Sequence, residues 1–403
     1  MTLYEDLKWR GLIDNITSEE LIDEINNGKV IFYIGVDPTA DSLHIGHFIA
    51  AIANPKRLIE AGNKAIIIAG GGTGLIGDPK PNAERKMISK EEVSHNIECI
   101  KKQMSDLLKT DVEIINNADW LLEMNAIDYL RDYGKYFNIN YMLSKDTVKR
   151  RLDIGITYTE FSYMLLQSID FLKLYETKNC RLQIGGQDQW GNITSGLELI
   201  RKMHGEDVKC YGMTTPLLLK SDGTKFGKTE SGKSVWLDKE KTSSYEMYQF
   251  FINAEDSSVI SYLKKLTFLE RKEIEALEES LKIEPEKRKA QKALAYEIVK
   301  FIHGEDEAIK AKETSEKVFS GEVTDEMPSF VLDKEGINIM DLLVLTNLAP
   351  SKSEARRLVE GGAIKINNEK IDDSNTLIND SLFKEGIFTL HKGKKNIIKV
   401  SKN

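Results

Sequence analysis

The stretch VIFYIGVDPTADSLHIGHFIAAIANPKRLIEAGNKAIIIAGG, residues 30–71, decides the fold class. It opens with the apolar run VIFYIGV (30–36) and closes with KAIIIAGG (64–71), both rich in residues that favour strands. Between them, HFIAAIANPKRLIEAG has the apolar spacing of a helix. This order of strand, helix and strand predicts a parallel α/β sheet.

The rest of the chain shows further patterns. Residues 159–178 (TEFSYMLLQSIDFLKLYETK) are predicted to form a long helix, and a short apolar run, RLQIGG, follows at 181–186. From about 245 to 320 the pattern is helical and rich in charge. Residues 340–403 are predicted as two helices followed by short strands, with two glycines, Gly361 and Gly362, ending the second helix.

Length and charge limit the class of protein. At roughly 100–200 residues per domain, 403 residues predict two to four domains. The net charge of −8 argues against a uniformly basic, nucleic-acid-binding surface. Residues 340–403 nevertheless hold eleven Lys and Arg against eight Asp and Glu, whereas residues 1–339 hold 45 against 56. The C-terminal module is therefore predicted to differ electrostatically from an acidic body.

Cysteine usage and hydropathy indicate neither secretion nor membrane attachment. Apolar runs fall short of the roughly 20 residues that a membrane helix needs, and the start MTLYEDLKWRGL does not have the pattern of a signal peptide. Three cysteines, far apart and without a CxxC pair, fit a reducing compartment. We expect a cytoplasmic protein.

Two glycine-rich segments match the residue patterns of phosphate-binding motifs, but the elements predicted around them differ from those that the motifs require. GTGLIG (72–77) fits G-x-G-x-x-G, but Asp78-Pro79 follows where a dinucleotide-binding loop requires the start of a helix. GKTESGKS (227–234) fits a P-loop, yet it leads into SVWLD, which is predicted as a strand and not as the required helix. Neither a dehydrogenase nor a P-loop enzyme is favoured.

The segment DPTADSLHIGHF (37–48), directly after the first predicted strand, is more specific. Asp41 or Ser42 is predicted to cap the helix that begins here, which leaves free N–H groups to face an anion. His44 and His47 lie on one face of the first turn, where imidazoles can donate hydrogen bonds to phosphate oxygens. A metal site is not favoured, because no third ligand occurs at a useful spacing.

A second loop, SDGTKFGKTESG (221–232), carries Lys225 and Lys228 followed by Thr229. Its glycines let the backbone approach a ligand, and two ammonium groups suit a triphosphate whose leaving pyrophosphate gains charge. Taken alone, such a loop is more often an ordinary solvated turn. Only its combination with the two histidines favours a phosphate site.

The predicted helix 159–178 contains a polar stripe. Tyr163, Gln167 and Asp170 are spaced four and three residues apart, so they share one face of a mostly apolar helix. Burying such a stripe is costly unless it faces something polar. The stripe indicates either a bound polar ligand, such as an amino acid, or a buried network satisfied within the protein.

The motifs HIGH (44–47) and KFGKT (225–229) resemble the two signatures of the class I aminoacyl-tRNA synthetases. The segments YIGVDPTADSLHIGH, GGGTGLIGDP, FSYMLLQSIDF, IGGQDQWGNI and DGTKFGKTESG together resemble those of the bacterial tyrosyl-tRNA synthetases. The resemblance covers nearly the whole chain and implies an α/β fold with a Rossmann-type parallel-sheet catalytic domain, an α-helical domain and a small α+β RNA-binding domain. The implied boundaries are a catalytic domain at 1–220, a signature-loop linker at 221–245, a helical anticodon-recognition domain at 246–325, a linker at 326–339 and an RNA-binding domain at 340–403.

The same resemblance implies roles for single residues. The residues implied for L-tyrosine are Asp78, Tyr163 and Gln167 at the α-ammonium group, Tyr33 and Asp170 at the phenolic hydroxyl, and Gln189 at the carboxyl side. The residues implied for ATP and the chemical step are Asp37, Thr39, His44, His47, Gly186, Asp188, Lys225, Lys228 and Thr229. Arg85 is expected to bind pyrophosphate; because the segment after Asp78 departs from the family pattern, either Lys80 or Lys86 joins it.

In the tail, Lys352, Arg356 and Arg357 form a basic face on the second helix. Such a face suits an RNA backbone, although a basic helix face is about as often simply solvated. By resemblance it belongs to an RNA-binding motif shared with a small-subunit ribosomal protein.

The resemblance implies an enzyme that joins L-tyrosine to tRNA(Tyr), uses ATP as its magnesium complex, needs no tightly bound metal and forms a homodimer. Two alternatives are a tryptophanyl-tRNA synthetase and a non-catalytic RNA-binding protein derived from the family. Tyr33 with Asp170 favours tyrosine, because this pair can recognise a hydroxyl, and the C-terminal module favours it too. The complete HIGH and KFGKT signatures argue against a pure binding protein.

Overall fold

The computed structural model describes residues 1–78, 88–110, 112–220, 223–224, 226–229, 232–320, 324, 327–333, 336–384, 386–393 and 396–402. The chain divides into two compact units. The first comprises residues 1–226 together with 264–266, and the second comprises residues 227–263 and 267–403. The boundary near residue 226 falls inside the glycine-rich loop 221–232.

A six-stranded sheet forms the centre of the first unit. Its strands are β1 (Asn15–Ile16), β2 (Ile31–Val36), β3 (Lys64–Ala69), β4 (Glu113–Asn116), β5 (Leu182–Gly186) and β6 (Tyr211–Thr215). Their order across the sheet is β1-β6-β5-β2-β3-β4, and every neighbouring pair is parallel except β1 with β6. Helical segments connect the parallel strands, which confirms the α/β sheet predicted from the sequence.

Helices cover both faces of this sheet. In chain order they are α1 (Leu3–Trp9), α2 (Glu20–Asn26), α3 (Asn54–Glu60), α4 (Lys90–Leu108), α5 (Ala118–Leu121), α6 (Ala126–Asp128), α7 (Ile139–Ser144), α8 (Asp146–Lys149), α9 (Tyr158–Lys178) and α10 (Trp190–His204).

Successive side chains of β2 enter different cores, because neighbours along a strand point to opposite faces. Phe32 packs in the core that contains Leu21 of α2, whereas Tyr33 packs with Phe171 of α9 and Leu197 of α10.

The segment between β2 and β3 is helical, as predicted, but it is not one continuous α-helix. A 3₁₀ turn covers Ile45–His47, a π-helical turn covers Ile49–Ala53, and only α3 is α-helical. Pro55 lies in the first turn of α3 and has no N–H to donate to the preceding turn. The wider π-helical turn accommodates this missing hydrogen bond and keeps the segment helical.

Five helices fill residues 244–320 of the chain. They are α11 (Ser244–Ile252), α12 (Asp256–Leu266), α13 (Arg271–Ile283), α14 (Lys289–His303) and α15 (Glu305–Ser320). Helix α11 packs on α14 and α15, and its buried Tyr248 and Phe251 contribute large side chains to the interior. Ser243 caps α11: its hydroxyl accepts a hydrogen bond from the Glu246 N–H at 3.2 Å.

The chain ends in a second, five-stranded sheet. Its elements are β7 (Ser329–Leu332), α16 (Ile339–Leu345), α17 (Lys352–Glu360), β8 (Ile364–Ile366), β9 (Glu369–Ile371), β10 (Ile387–Lys392) and β11 (Asn396–Lys402). The strand order is β7-β11-β10-β8-β9, and α16 and α17 pack on this sheet through Leu342 and Val359. Gly361 caps α17, and Gly362 follows with a φ of +69° that few other residues adopt readily.

Strand β7 lies inside residues 326–339, the segment that the sequence predicted as a linker. It pairs in parallel with β11, so that Phe330 faces Val400 in the ladder. The short, irregular sequence around β7 hides this pairing, because its partner lies about 70 residues further along the chain. The predicted fold class, a Rossmann-type parallel sheet followed by a helical part and a small α+β part, is confirmed. Among the described helices, none is both long and apolar enough to cross a membrane.

Candidate active site

The two central strands of the first sheet set the position of the site. Strands β2 and β5 are neighbours, and from them the chain continues in opposite directions, to β3 and β4 on one side and to β6 on the other. Such a reversal opens a crevice at the carboxyl ends of the two strands, where open parallel sheets bind ligands. Asp37 follows β2, and Asp188 and Gln189 follow β5, so the sheet brings these predicted residues to one edge.

Asp37 joins the end of β2 to two other elements. Its Oδ2 accepts a hydrogen bond from the Tyr163 hydroxyl at 2.8 Å, and its Oδ1 accepts one from the Thr73 hydroxyl at 2.9 Å. A side chain at Gly70 would collide with this carboxylate, so a glycine is needed directly after β3. Burial, followed by the charges of Asp37 and Asp78, holds the pKa of Tyr163 well above its usual value. Tyr163 is therefore a neutral hydrogen-bonding group.

Asp170 lies at the bottom of the crevice and accepts two hydrogen bonds. The Trp120 indole Nε1–H donates to its Oδ1 at 2.8 Å, and the Asn117 amide donates to its Oδ2 at 2.9 Å. Burial raises the pKa of Asp170 to about 7, although both donors favour the charged form. Tyr33 is buried close by, and its hydroxyl has no hydrogen-bond partner among the residues that the structure describes. Burial and then the Asp170 charge hold the pKa of Tyr33 well above its usual value.

Asp78 faces the same crevice from the loop after β3. Its carboxylate accepts hydrogen bonds from Gln189 at 2.8 Å and from Asn192 at 3.2 Å. Asn192 also donates to the Gln167 amide oxygen at 3.0 Å, which ties the polar stripe of α9 to the start of α10. Burial raises the pKa of Asp78 to about 6, and the charges of Asp37 and Asp188 add to the shift. The negative charge of each carboxylate makes ionisation of the others less favourable, so a bound cation would be stabilised here.

His44 and His47 stack on each other, with ring centroids 3.8 Å apart. The Nδ1 of His44 accepts the Gly46 N–H at 3.1 Å, and the Nδ1 of His47 accepts the His44 N–H at 3.4 Å. Both neutral rings therefore carry their proton on Nε2, the atom that can donate to an anion. His47 is exposed at the surface of the protein, yet the protein atoms around its imidazole and then the proximity of His44 lower its pKa.

The cap of the turn after β2 differs from the prediction. His44 itself is the capping residue, because its side chain accepts the Gly46 N–H. Ser42 instead donates to the Leu43 carbonyl at 2.9 Å, and the Leu43 N–H donates to the side chain of Gln103 in α4. Ser42 is therefore not the capping residue that the sequence predicted, because this part of the loop forms hydrogen bonds with α4 instead. Thr39 is exposed in the turn between β2 and His44, with its N–H bonded to the Asp37 carbonyl at 2.8 Å.

The remaining predicted ATP residues lie in two places. Gly186 ends β5, and Asp188 occupies the exposed 3₁₀ turn that follows. Lys228 and Thr229 belong to the second unit, in which Lys228 is exposed and forms an isolated β-bridge with Ser234. Lys225, Arg85, Lys80 and Lys86 lie outside the described residues.

The basic face predicted in the tail lies on α17. Lys352, Arg356 and Arg357 are all exposed there, with the capping Ser351 at the start of the helix. Lys352 forms an ion pair with Asp341 of α16 at 2.5 Å, and Arg357 forms one with Glu354 at 3.6 Å. Exposed pairs of this kind are weak, so Lys352 and Arg357 can exchange these partners for phosphate groups.

Four side chains of the site were missed by the sequence analysis: Thr73, Asn117, Trp120 and Asn192. Asn117 is fully buried and uses its whole amide, since its Oδ1 accepts the Gly72 N–H at 2.8 Å while its Nδ2 donates to Thr73 and Asp170. Two signals could have found Asn117 and Asn192. Asn117 directly follows a strand at its carboxyl end, and Asn192 comes three residues after Gln189 on a helix, where side chains share a face.

Within the described ranges, no group of three or more His, Cys, Asp and Glu side chains is arranged to hold a metal ion. The side chains that line the crevice can recognise a ligand by hydrogen bonds and charge. The crevice has carboxylates and tyrosine hydroxyls on one side and two Nε2–H imidazoles at the beginning of the helical segment after β2.

Comparisons with known proteins identify the family of the chain. The family described as tRNA synthetases class I (W and Y) matches residues 25–320, and the tyrosine–tRNA ligase SYY-like C-terminal domain matches residues 320–400. The chain is 48% identical to the tyrosine–tRNA ligase of Geobacillus stearothermophilus, over 98% of each chain. It is also 48% identical to tyrosine–tRNA ligase 1 of Bacillus subtilis, over 99% of each.

Solved structures also match most of the chain. A C-terminally truncated mitochondrial tyrosyl-tRNA synthetase from Aspergillus nidulans superposes with a TM-score of 0.70 at 31% identity, covering 79% of this chain and 94% of the other. A tryptophanyl-tRNA synthetase from Encephalitozoon cuniculi reaches a TM-score of 0.57 at 15% identity, covering 76% and 87%, which shows a shared fold only. The chain belongs to the tyrosine–tRNA ligase family of the class I aminoacyl-tRNA synthetases.

Proposed function

We propose that this protein activates L-tyrosine with ATP and then transfers it to the 3′ end of tRNA(Tyr). In the first step the tyrosine carboxylate attacks the α-phosphate of ATP, an O–P bond forms, and pyrophosphate leaves. In the second step a hydroxyl at the tRNA 3′ end takes the tyrosyl group and AMP leaves. The observation that carries the proposal is the buried polar crevice at the carboxyl ends of β2 and β5, in a chain that belongs to this family.

The crevice fits the two ends of tyrosine. Asp78, Tyr163 and Gln167 are assigned to the α-ammonium group, because a cation is favoured where Asp78 lies close to other carboxylates. Gln189, which hydrogen-bonds Asp78, is assigned to the carboxyl side of the amino acid. Once the ammonium binds, the pKa of Asp78 falls and its carboxylate becomes fully charged.

Asp170 and Tyr33 are assigned to the phenolic hydroxyl. Both are buried, so a ligand without this hydroxyl would leave the Tyr33 hydroxyl unpaired and would remove one donor from Asp170. Such a site rejects that ligand, a behaviour already known for tyrosyl-tRNA synthetases. Tryptophan offers a bulkier ring with an N–H donor and no hydroxyl. This crevice favours tyrosine over the tryptophan alternative, and the complete histidine motif beside it disfavours a pure RNA-binding protein.

ATP, as its magnesium complex, is assigned to the edge of the crevice outside β2 and β5. Asp188 is assigned to the ribose, next to Asp37 and Gly186. Thr39, His44 and His47 are assigned to the phosphates, where the two Nε2–H groups stabilise the charge that grows on the leaving pyrophosphate. Lys225, Lys228, Thr229 and Arg85 are proposed to complete this pyrophosphate contact.

No side-chain nucleophile or general base is needed for the first step, because the attacking carboxylate is already charged. The work of the site is to position the two substrates and to stabilise the departing charge. This requirement agrees with the described crevice, in which Asp170, Asp78 and Tyr163 are held by hydrogen bonds to neighbouring side chains.

We propose two further partners. Residues 122–158 expose eight large apolar side chains, among them Ile127 at 68%, Ile154 at 64% and Tyr158 at 67%, and this concentration supports a homodimer through the first unit. The basic face of α17 supports binding of the tRNA backbone, and the helices at 244–320 are proposed to recognise the anticodon. We place the protein in the cytoplasm, where tRNA and ATP are found.

ATP–pyrophosphate exchange tests the proposed function. Exchange should depend on tyrosine and be far weaker with phenylalanine or tryptophan at equal concentration. Transcribed tRNA(Tyr) should then accept tyrosine from the same preparation. Exchange that depends on tryptophan, or none with any of the three amino acids, would overturn the proposal.

A further inference from the structure

Within the described part of the chain, two buried polar atoms of the amino-acid crevice have no hydrogen-bond partner: the Tyr33 hydroxyl and the side-chain amide oxygen of Gln183. The two residues are 1% and 2% exposed, respectively. They lie opposite each other on the neighbouring parallel strands β2 and β5. Residues opposite each other in a sheet point to the same face, so both side chains enter the core below α9 and α10.

Both side chains lie near Phe171 of α9. The rings of Tyr33 and Phe171 have centroids 5.3 Å apart. A Cβ built on Gly196 of α10 would lie 3.2 Å from the Phe171 ring and 3.6 Å from the Gln183 amide oxygen. Because residue 196 is a glycine, there is room for the Gln183 amide beside Phe171. Phe171 directly follows Asp170, the proposed acceptor for the hydroxyl of tyrosine, on α9.

The absence of partners is notable because the other buried polar groups of the crevice are satisfied. Asp170 accepts from Asn117 and Trp120, and Tyr163 donates to Asp37. A buried amide without a hydrogen bond destabilises a fold, and it persists in a native structure when a ligand or a functional role requires it. Two such groups side by side indicate that something completes them both when the site is in use.

We propose that Gln183 is a positioning residue for tyrosine selectivity: its amide donates a hydrogen bond to the Tyr33 hydroxyl and so directs the Tyr33 proton to the hydroxyl of bound tyrosine. This inference rests on the assignment of the crevice to L-tyrosine. No described residue donates a hydrogen bond to the amide oxygen, and the last torsion of a glutamine side chain is soft. The amide can therefore turn and present its NH₂ group.

The hydrogen bonds balance in this arrangement. The hydroxyl of bound tyrosine has one proton, which it donates to the Asp170 carboxylate, the strongest acceptor nearby. Its oxygen then accepts the proton of the Tyr33 hydroxyl, and the Tyr33 oxygen is left to accept one hydrogen bond. Gln183 supplies that donor from the opposite position on β5. Phenylalanine brings no hydroxyl, so the Tyr33 proton has no acceptor and the whole chain of hydrogen bonds is broken.

Gln183→Met tests the proposal, because methionine has nearly the same shape and cannot donate. In ATP–pyrophosphate exchange, kcat/KM for tyrosine should fall about tenfold, whereas kcat/KM for phenylalanine should change by less than about twofold. A purely structural role predicts equal losses for both amino acids. Equal losses, or an unchanged preference, would therefore overturn the inference.

A double-variant cycle tests whether Gln183 acts through Tyr33. In a Tyr33→Phe background the hydroxyl that Gln183 orients is gone, so adding Gln183→Met should change kcat/KM for tyrosine by less than about twofold. A further tenfold loss would show that Gln183 acts on the substrate without Tyr33, which contradicts the proposed arrangement.

Two measurements keep the test decisive if a variant is impaired in folding. The melting temperature of the Gln183→Met protein without ligand should equal or exceed that of the wild type, because an unsatisfied buried amide has been removed. Gln183→Leu also keeps most of the side-chain volume and has no donor, so it should show the same loss of tyrosine preference. Full tyrosine preference in Gln183→Leu overturns the donor role. A wild type without tyrosine-dependent exchange refutes the proposed function itself; an active wild type with unaltered Gln183 variants refutes only this inference.

Discussion

Arg151→Met should destabilise the first unit far more than an exposed arginine replacement does. Arg151 and Glu160 form a buried ion pair, with side chains 5% and 3% exposed. The guanidinium binds the carboxylate through two parallel hydrogen bonds, of 3.2 and 2.9 Å, and its Nε–H donates to the Gly155 carbonyl at 3.1 Å. Removing the arginine leaves a buried carboxylate and a carbonyl without these donors.

The expected loss of unfolding free energy is about 3–5 kcal/mol, the range found when one member of a buried ion pair is removed. For a unit of about 230 residues this corresponds to a fall in melting temperature on the order of 10 °C. Arg131→Met is the matched control, because Arg131 pairs with Asp132 and Asp128 at the surface and is 68% exposed. Its expected cost is at most about 1 kcal/mol.

Differential scanning calorimetry of both variants measures the effect. A chain of two units need not unfold in one step, so the relevant transition is the one that tyrosine and ATP shift upward. The double variant Arg151→Met/Glu160→Met should recover part of the loss, since it no longer buries a lone charge. The reasoning is refuted if Arg151→Met lowers this transition no more than Arg131→Met does.

Four other outcomes follow from the site and the surfaces. His44→Ala should slow tyrosyl-adenylate formation in single-turnover kinetics and leave the Kd for tyrosine nearly unchanged, because its contact strengthens in the transition state; equal losses would remove this role. Burial raises the pKa of Asp170 to about 7 from an ordinary value of 3.8, so the folded state binds more protons than the unfolded state between these values. The contribution of Asp170 to stability is therefore present at low pH and declines as the pH rises from about 4 to about 7, and Asp170→Asn should flatten this part of a plot of melting temperature against pH; an unchanged slope contradicts the raised pKa. Ile154→Asp should convert a dimer to monomers in sedimentation equilibrium, and a persistent dimer would place the interface elsewhere. Arg356→Ser/Arg357→Ser should weaken tRNA binding and its salt dependence while pyrophosphate exchange stays unchanged, and undiminished tRNA affinity would remove α17 from RNA recognition.

Local sequence patterns predicted much of the fold. The apolar runs at 30–36 and 64–71 became β2 and β3, and the periodic segment 159–178 became α9 with only one residue added at its start. These elements are long and strongly periodic, so propensity and burial favour the same structure. The prediction was less complete around Pro55, where a missing N–H produced a π-helical turn, and at β7, whose partner strand lies far away in the sequence.

Part of the site followed from the same patterns. The spacing of Tyr163, Gln167 and Asp170 predicted that they share one face, and the structure places Tyr163 against Asp37 and Gln167 against Asn192. The hydrogen-bond donors to Asp170 could not be predicted in this way, because Asn117 and Trp120 lie 53 and 50 residues before it. No periodicity connects residues at such a separation.

Apart from β7 and the turn before Pro55, the sequence by itself determined which residues form the main strands and helices, which of their faces are apolar, and which short motifs place histidines and glycines at the ends of strands. Those properties depend on neighbours a few positions away, through helix and strand periodicity. Only the tertiary structure decided that Gln183 lies beside Tyr33, that Arg151 meets Glu160 in the interior, and that the carboxyl group of Asp170 is buried enough to raise its pKa to about 7. Strand register, side-chain pairing and burial are set when elements that are distant in the sequence pack together. The free energy of a buried polar group therefore depends on partners that only the folded chain brings close to it.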